Sequence, residues 1–146
     1  MKKLAPEDCI FCKIVAGEVP ASIVQRDEHT LAFMDVAPVT DGHVLVIPTH
    51  HTPDLAGLDD SSGGRMFAIG RRVAAALRQS GLPCEGVNFF LADGAPAGQT
   101  VFHTHLHVIP RTRGDGLGFR HGEGFVRGRP SRIELDEFAR RLGARC

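Results

Sequence analysis

Three histidines stand at alternate positions in one stretch, Gly98-Gln99-Thr100-Val101-Phe102-His103-Thr104-His105-Leu106-His107-Val108-Ile109-Pro110. Near neutral pH an imidazole serves as nucleophile, general acid or base, hydrogen-bond donor or metal ligand. Val101, Leu106, Val108 and Ile109 are β-branched or aliphatic, which predicts a β-strand. Side chains alternate faces along a strand, so His103, His105 and His107 are expected on one face, successive rings roughly 7 Å apart. Such a row suits the grip of one phosphate or one metal ion. Gly98 at its start would let the backbone approach a ligand closely. One histidine alone is most simply a packed residue with a satisfied ring. Three on one face, behind Gly-Gln-Thr, point to a ligand. A His-x-His pair on a strand also presents two zinc ligands. That gives a second chemistry, a zinc hydrolase on His103, His105 and a third ligand such as His43, with water activated on the metal.

The elements that must position this stretch follow from pattern. Residues 1–7 read as a loose tail. Cys9 to Val15 is a short apolar segment with helical character, ending near Gly17. Ser22–Arg26 and Thr30–Met34 read as two strands joined by the polar turn Asp27-Glu28-His29. Asp41-Gly42 marks a turn, and His43 opens a near-continuous apolar strand to Pro48. Met66, Ile69, Gly70, Val73, Ala74 and Leu77 recur at helical spacing from Arg65, with Ser61 or Ser62 as the expected cap and Gly81 as the stop. Val87–Leu91 is a fourth strand, and residues 92–98 form a loop into the histidine strand. Residues 111–130 read as a Gly- and Arg-rich surface loop. Ser131-x-x-Glu134 is a capping box opening a last helix over 131–143.

Composition narrows the function. A chain of 146 residues, 42% hydrophobic and 23% charged, fits one ordinary globular domain, 1–146. The formal net charge is zero, so no bulk field draws nucleic acid or an anionic membrane surface. No apolar run approaches the ~20 residues of a membrane span. The first residues have no apolar core of a signal peptide, and the expected location is the cytoplasm, where disulfides are rare. The pair Cys9-x-x-Cys12 then has three readings: half a zinc site, two packing residues, or, least fitting, a redox pair.

The segment His103-Thr104-His105-Leu106-His107-Val108-Ile109 resembles the His-φ-His-φ-His-φ-φ signature of the histidine triad (HIT) family of nucleotide hydrolases and transferases, with Thr104 the one departure. Cys9-Ile10-Phe11-Cys12-Lys13-Ile14, Leu31-Ala32-Phe33-Met34-Asp35 and Gly42-His43-Val44-Leu45-Val46-Ile47-Pro48 resemble further family segments, in the family's order. The likeness covers roughly residues 8 to 112. It implies an α+β, HIT-like fold: an antiparallel sheet of about five strands, one main helix packed on it, and a C-terminal helix. It also implies the family's Hint-like branch and a homodimer through the main helix and a shared sheet.

The resemblance assigns roles residue by residue. His105 is the nucleophile at the α-phosphorus of a purine nucleotide derivative, a nucleoside phosphoramidate or a dinucleoside polyphosphate. His107 donates a hydrogen bond to the phosphate, while His103 and His43 complete the catalytic set. Phe11 and Phe33 belong to the base pocket, although Phe11 fits plain core packing equally well. Asp35 binds the ribose hydroxyls, with Val36 beside it, and Gln99 and Thr100 face the phosphate or leaving group. Some bacterial relatives bind zinc through positions matching Cys9, Cys12, His51 and His103. A Cys₂His₂ set suits a structural zinc site, with His50 a competitor for His51. Ala92 stands where relatives usually carry Asn, so one substrate contact is missing or supplied differently. That departure keeps alive a nucleotide-binding or adaptor protein with little activity.

Overall fold

The structure, a computed structural model, describes residues 6–118 and 120–146. The expected tail falls mostly on residues 1–5, outside the described residues. Pro6–Asp8, its end, form a single 3₁₀ turn.

Strands β1 (Ile23–Arg26), β2 (Thr30–Met34), β3 (Val44–Pro48), β4 (Gly86–Phe90) and β5 (Leu106–Arg111) form one sheet in the order β1-β2-β3-β5-β4. Every neighbouring pair is antiparallel. Helices α1 (Ile10–Ala16) and α2 (Asp60–Gln79) belong to the same unit, which runs to Asp115. A second unit, from Gly116 on, holds α3 (Arg132–Gly143). Ser131 and Glu134 make the expected capping box on α3. The fold is therefore the α+β arrangement that the sequence pattern and resemblance imply. No helix among the described residues is long and apolar enough to cross a membrane.

The period-2 alternation of a strand explains how the sheet is buried on both faces. Ala32, Val44, Val46, Leu106 and Val108 pack against Met66, Ile69, Val73, Ala74 and Leu77 of α2. Leu31, Phe33, Leu45 and Ile47 point the other way and pack with Phe11 and Ile14 of α1. Gly70 lets α2 lie close on the sheet: a Cβ there would meet Leu106 Cδ2 at 3.1 Å and Phe89 Cζ at 3.2 Å.

Most element boundaries fall within a residue of expectation, and two differ by more. Helix α2 begins at Asp60, earlier than Arg65, and Asp59 caps it by accepting the Ser62 N–H, in place of Ser61 or Ser62. Gly63 and Gly64 are thus helical despite a cost of about 1 kcal/mol each relative to Ala. The histidine stretch is the larger correction. Strand β5 starts only at Leu106, so His103 and His105 precede the sheet ladder. Residues 99–104 bond instead to the loop after β3: Thr104 N–H donates to the Thr52 carbonyl at 2.6 Å and Gln99 Nε2 to the Pro53 carbonyl at 2.7 Å. That pinning holds the chain off the ladder before Leu106, while the rings stay neighbours: Phe11 meets both His103 and His105, and His105 lies 4.9 Å from His107 between centroids. Gly98 likewise owes its identity to φ +94°, left-handed backbone that closes the 3₁₀ turn at Ala95–Ala97.

Candidate active site and candidate metal centre

His103 is fully buried and faces the N-terminal segment. Its Nε2–H donates to the Pro48 carbonyl at 2.8 Å. The lone pair is therefore on Nδ1, which points at Cys9 Sγ and Cys12 Sγ, both at 3.6 Å. Cys12 Sγ is also 3.2 Å from His51 Nδ1. Cys9 caps α1 and Cys12 lies in its first turn, a three-residue spacing that sets two side chains on the same side of a helix. The four ligand atoms of Cys9, Cys12, His51 and His103 all lie within 4.8 Å of one another. Around a tetrahedral zinc, ligand atoms are about 3.3–3.8 Å apart, from bonds of about 2.0–2.3 Å, so these side chains fit the ion. The Pro48 carbonyl supplies the second-shell acceptor that metal-binding imidazoles use. His50, the competitor, is exposed, with Nε2 4.0 Å from Asp59. Burial, then the Cys9 side chain, pushes the Cys12 thiol up to about 11. Burial pulls His103 down to about 4. Metal ligation would deprotonate the thiols.

The carbonyl of His103 serves the neighbouring histidine. His105 Nδ1–H donates to it at 2.7 Å, which leaves the lone pair of His105 on Nε2. The ring is almost wholly buried, and burial lowers its pKa from the ordinary value. Its neighbours are Phe11, edge-on at 5.3 Å between centroids, and His107 at 4.9 Å.

His107 is half-buried on β5. Its Nδ1 lies 2.9 Å from His43 Nε2. Burial first, then His105 and His43, brings the His107 pKa down to about 4. His43 is buried, and burial lowers its pKa against the opposing pull of Asp35. One carboxylate oxygen of Asp35 accepts the Ala37 N–H at 2.9 Å, and the other is 3.6 Å from His43 Nδ1. Asp35, His43 and His107 form a second gathering of polar atoms, separate from the cysteine cluster. The trio weighed for a zinc hydrolase, His103, His105 and His43, is not one ligand set. His103 faces the cysteines, His105 uses Nδ1 on a carbonyl, and His43 meets Asp35 and His107.

The remaining expected site residues are distributed as follows. Phe11 is both core and site: it packs edge-on against Phe33 at 5.4 Å and against His105. Phe33 is buried on β2. Val36 is 95% exposed, so it touches almost nothing in this chain. Thr100 is exposed. Gln99, expected at the phosphate, is buried and holds its own loop. Its Oε1 accepts the Gly94 N–H at 2.8 Å, and its Nε2 donates to Pro53 and Val101 carbonyls at 2.7 and 3.1 Å. Sequence reasoning missed Phe90, which sits opposite His107 in the β4–β5 register with ring centroids 5.7 Å apart. Only strand pairing brings it there. It also missed the Pro48 carbonyl and the Val39 amide, whose N–H donates to His43 Nδ1 at 3.1 Å, since backbone groups leave no trace in residue type.

The sequence model of the HIT domain matches residues 16–114. An uncharacterised HIT-like protein of Borreliella burgdorferi is 42% identical over 132 residues, covering 90% of this chain and 91% of that one. The adenylylsulfatase HINT3 of Arabidopsis thaliana is 36% identical over 110 residues, 75% of this chain and 55% of its own length. The crystal structure of a zinc-bound histidine triad family protein from Mycobacterium smegmatis superposes with a TM-score of 0.75 at 42% identity, covering 97% of this chain and 96% of that one.

Proposed function

The chain belongs to the histidine triad (HIT) family, and we propose that it is a nucleotide-binding hydrolase or nucleotidyl transferase acting through His105. The observation that carries this reading is the hydrogen bond from His105 Nδ1–H to the His103 carbonyl. It leaves Nε2 with a lone pair, on a ring that burial keeps neutral. That lone pair attacks the α-phosphorus of a purine nucleoside phosphoramidate or dinucleoside polyphosphate. An N–P bond forms, and the bond to the leaving group breaks with its electron pair on the leaving atom, which takes up a proton. Water then attacks phosphorus, the N–P electrons return to Nε2, and the nucleoside monophosphate departs. His107 stabilises charge on the phosphate oxygens by hydrogen bonding. Asp35 is assigned to the ribose hydroxyls, with Val36, Phe11 and Phe33 toward the base and Thr100 toward the leaving group. The plant relative named as an adenylylsulfatase is consistent with chemistry on a nucleotide derivative.

Cys9, Cys12, His51 and His103 would hold a structural zinc ion, a role favoured by their donor set and by the zinc-bound relative. The ion would tie α1 and the loop after β3 to the catalytic segment. Assembly as a homodimer through α2 and the sheet is supported by β4, an edge strand open to pairing with another chain, and by Phe67 of α2, 59% exposed. The cytoplasm remains the proposed location.

A second reading, a nucleotide-binding adaptor with little turnover, rests on Ala92, a buried methyl where the family resemblance expects an amide. Hydrolysis of a fluorogenic adenosine phosphoramidate by wild type and His105→Ala, with and without chelator, separates the readings. Turnover that survives chelation and vanishes in the variant supports the enzyme. Nucleotide binding without turnover in either protein supports the adaptor.

A further inference from the structure

The proton on a neutral imidazole goes to whichever nitrogen faces an acceptor. Along Val39, His43 and His107 only one member has a fixed polarity, and it decides the rest. The backbone N–H of Val39 lies 3.1 Å from His43 Nδ1. An amide N–H can only donate, so His43 Nδ1 must carry a lone pair. His43 is 1% exposed, and burial disfavours its charged form. A neutral ring with a bare Nδ1 has its proton on Nε2. That nitrogen is 2.9 Å from His107 Nδ1, so His43 donates and His107 Nδ1 accepts. His107 must then hold its own proton on Nε2.

We propose that the Val39 amide, acting through His43, fixes His107 as the Nε2–H tautomer and so makes it a hydrogen-bond donor toward the bound phosphate. His43 is on this view a positioning residue that never meets the reacting atoms. The last link, to phosphate, rests on the proposed function; the tautomer itself does not.

The turn that presents Val39 is tied down at several points. Asp35 N–H donates to the His43 carbonyl at 3.0 Å and His43 N–H to the Thr40 carbonyl at 3.1 Å. Thr40 Oγ1 donates to the Pro110 carbonyl on β5 at 2.8 Å. Gly42 closes the turn at φ +94°, and a Cβ there would approach Leu77 Cδ2 to 3.0 Å. The amide is therefore held in place before any ligand arrives. Asp35 is the competing influence. Its Oδ2, 3.6 Å from His43 Nδ1, favours a proton on that nitrogen but lies beyond hydrogen-bonding distance. Were Asp35 to prevail, every proton in the chain would shift over. His107 would then donate from Nδ1 and turn a bare Nε2, a base, toward the substrate.

Nitrogen-15 NMR of the histidine rings reads the tautomer directly, in ligand-free protein and without turnover. The expected result for wild type is a protonated Nε2 and a bare Nδ1 on His107. The reverse assignment overturns the proposal. Two near-isosteric variants test the cause. His43→Gln keeps an N–H that can donate to His107 Nδ1, whereas His43→Glu can only accept from it. His107 should remain Nε2–H in the Gln variant and become Nδ1–H in the Glu variant. The same tautomer in both would show that His43 does not set it. Val39→Ala keeps the amide and the tautomer, while Val39→Pro, which lacks the N–H, should give a mixture. In turnover, His43→Glu should fall below His43→Gln in kcat by roughly 10²-fold, the usual weight of one positioned proton donor, with KM little changed. Equal kcat values alongside different tautomers would overturn the phosphate link. If no protein in the series turns over a phosphoramidate, the proposed function fails while the tautomer result stands.

Discussion

The carbonyl oxygen of His103 accepts the Nδ1–H of His105 at 2.7 Å, while the ring of His103 turns away and aims Nδ1 at Cys9 and Cys12. One residue thus belongs to two sites. Its side chain completes the candidate metal centre, and its backbone orients the proposed nucleophile. The link is short and covalent, so whatever fixes the His103 ring also fixes the direction in which His105 offers its lone pair.

The state of His105 predicts a pH–rate profile. Burial lowers its pKa from the ordinary 6.5, so the ring stays neutral to a pH below that of a free imidazole. Neutral His105 is the active form, so activity is retained through pH 6.5 and lost only as pH falls through the lowered pKa. The kcat/KM profile of the free enzyme should show its acid limb below pH 6.5. An acid limb centred above 6.5 would mean that a charged partner, not burial, governs the nucleophile.

The cysteine cluster predicts a metal effect that is structural in kind. Protein purified without chelator should carry about one zinc per chain, the occupancy of a single Cys₂His₂ site. Cys12→Ser and His51→Ala should both lose the metal and lower Tm, whereas His50→Ala should keep both, because His50 lies outside the cluster. Metal content and thermal unfolding read the outcome together. Zinc retained in His51→Ala but lost in His50→Ala would reassign the ligand.

The sequence was most informative where side chains repeat. The alternation Leu31, Ala32, Phe33 and Val44, Leu45, Val46, Ile47 marks strands buried on both faces, and both lie in mid-sheet. The α2 stripe from Met66 to Leu77 is likewise the buried face of the helix. The histidine stretch misled because its residue types suit a strand while its backbone has other partners. Thr52, Pro53 and Pro48 supply carbonyls that divert residues 99–104 from the ladder, and no pattern within 98–110 reports on them. Cys9-x-x-Cys12 is legible as half of a zinc site, but His51 and His103, 39 and 91 residues from Cys12, were accessible only through family resemblance. Phe90 and the Val39 amide needed strand register and turn geometry.

Gln99 illustrates the same limit and gives its own test. Its amide satisfies Gly94, Pro53 and Val101 at once. Gln99→Ala strands these groups and should destabilise the fold by about 1–3 kcal/mol, the cost of leaving buried polar groups unpaired. Urea unfolding measures it. A Gln99→Ala protein of unchanged stability with a raised KM would return Gln99 to the phosphate.

The most direct measurement is capture of the intermediate. Wild-type protein and His105→Ala are mixed with an adenosine phosphoramidate, quenched within a turnover in alkaline denaturant, where an N–P bond survives, and digested for mass spectrometry. The predicted result is a nucleotidyl group on the peptide at His105 in wild type, and neither adduct nor turnover in the variant. Unimpaired turnover by His105→Ala, or an adduct on another residue in wild type, would contradict nucleophilic catalysis by His105.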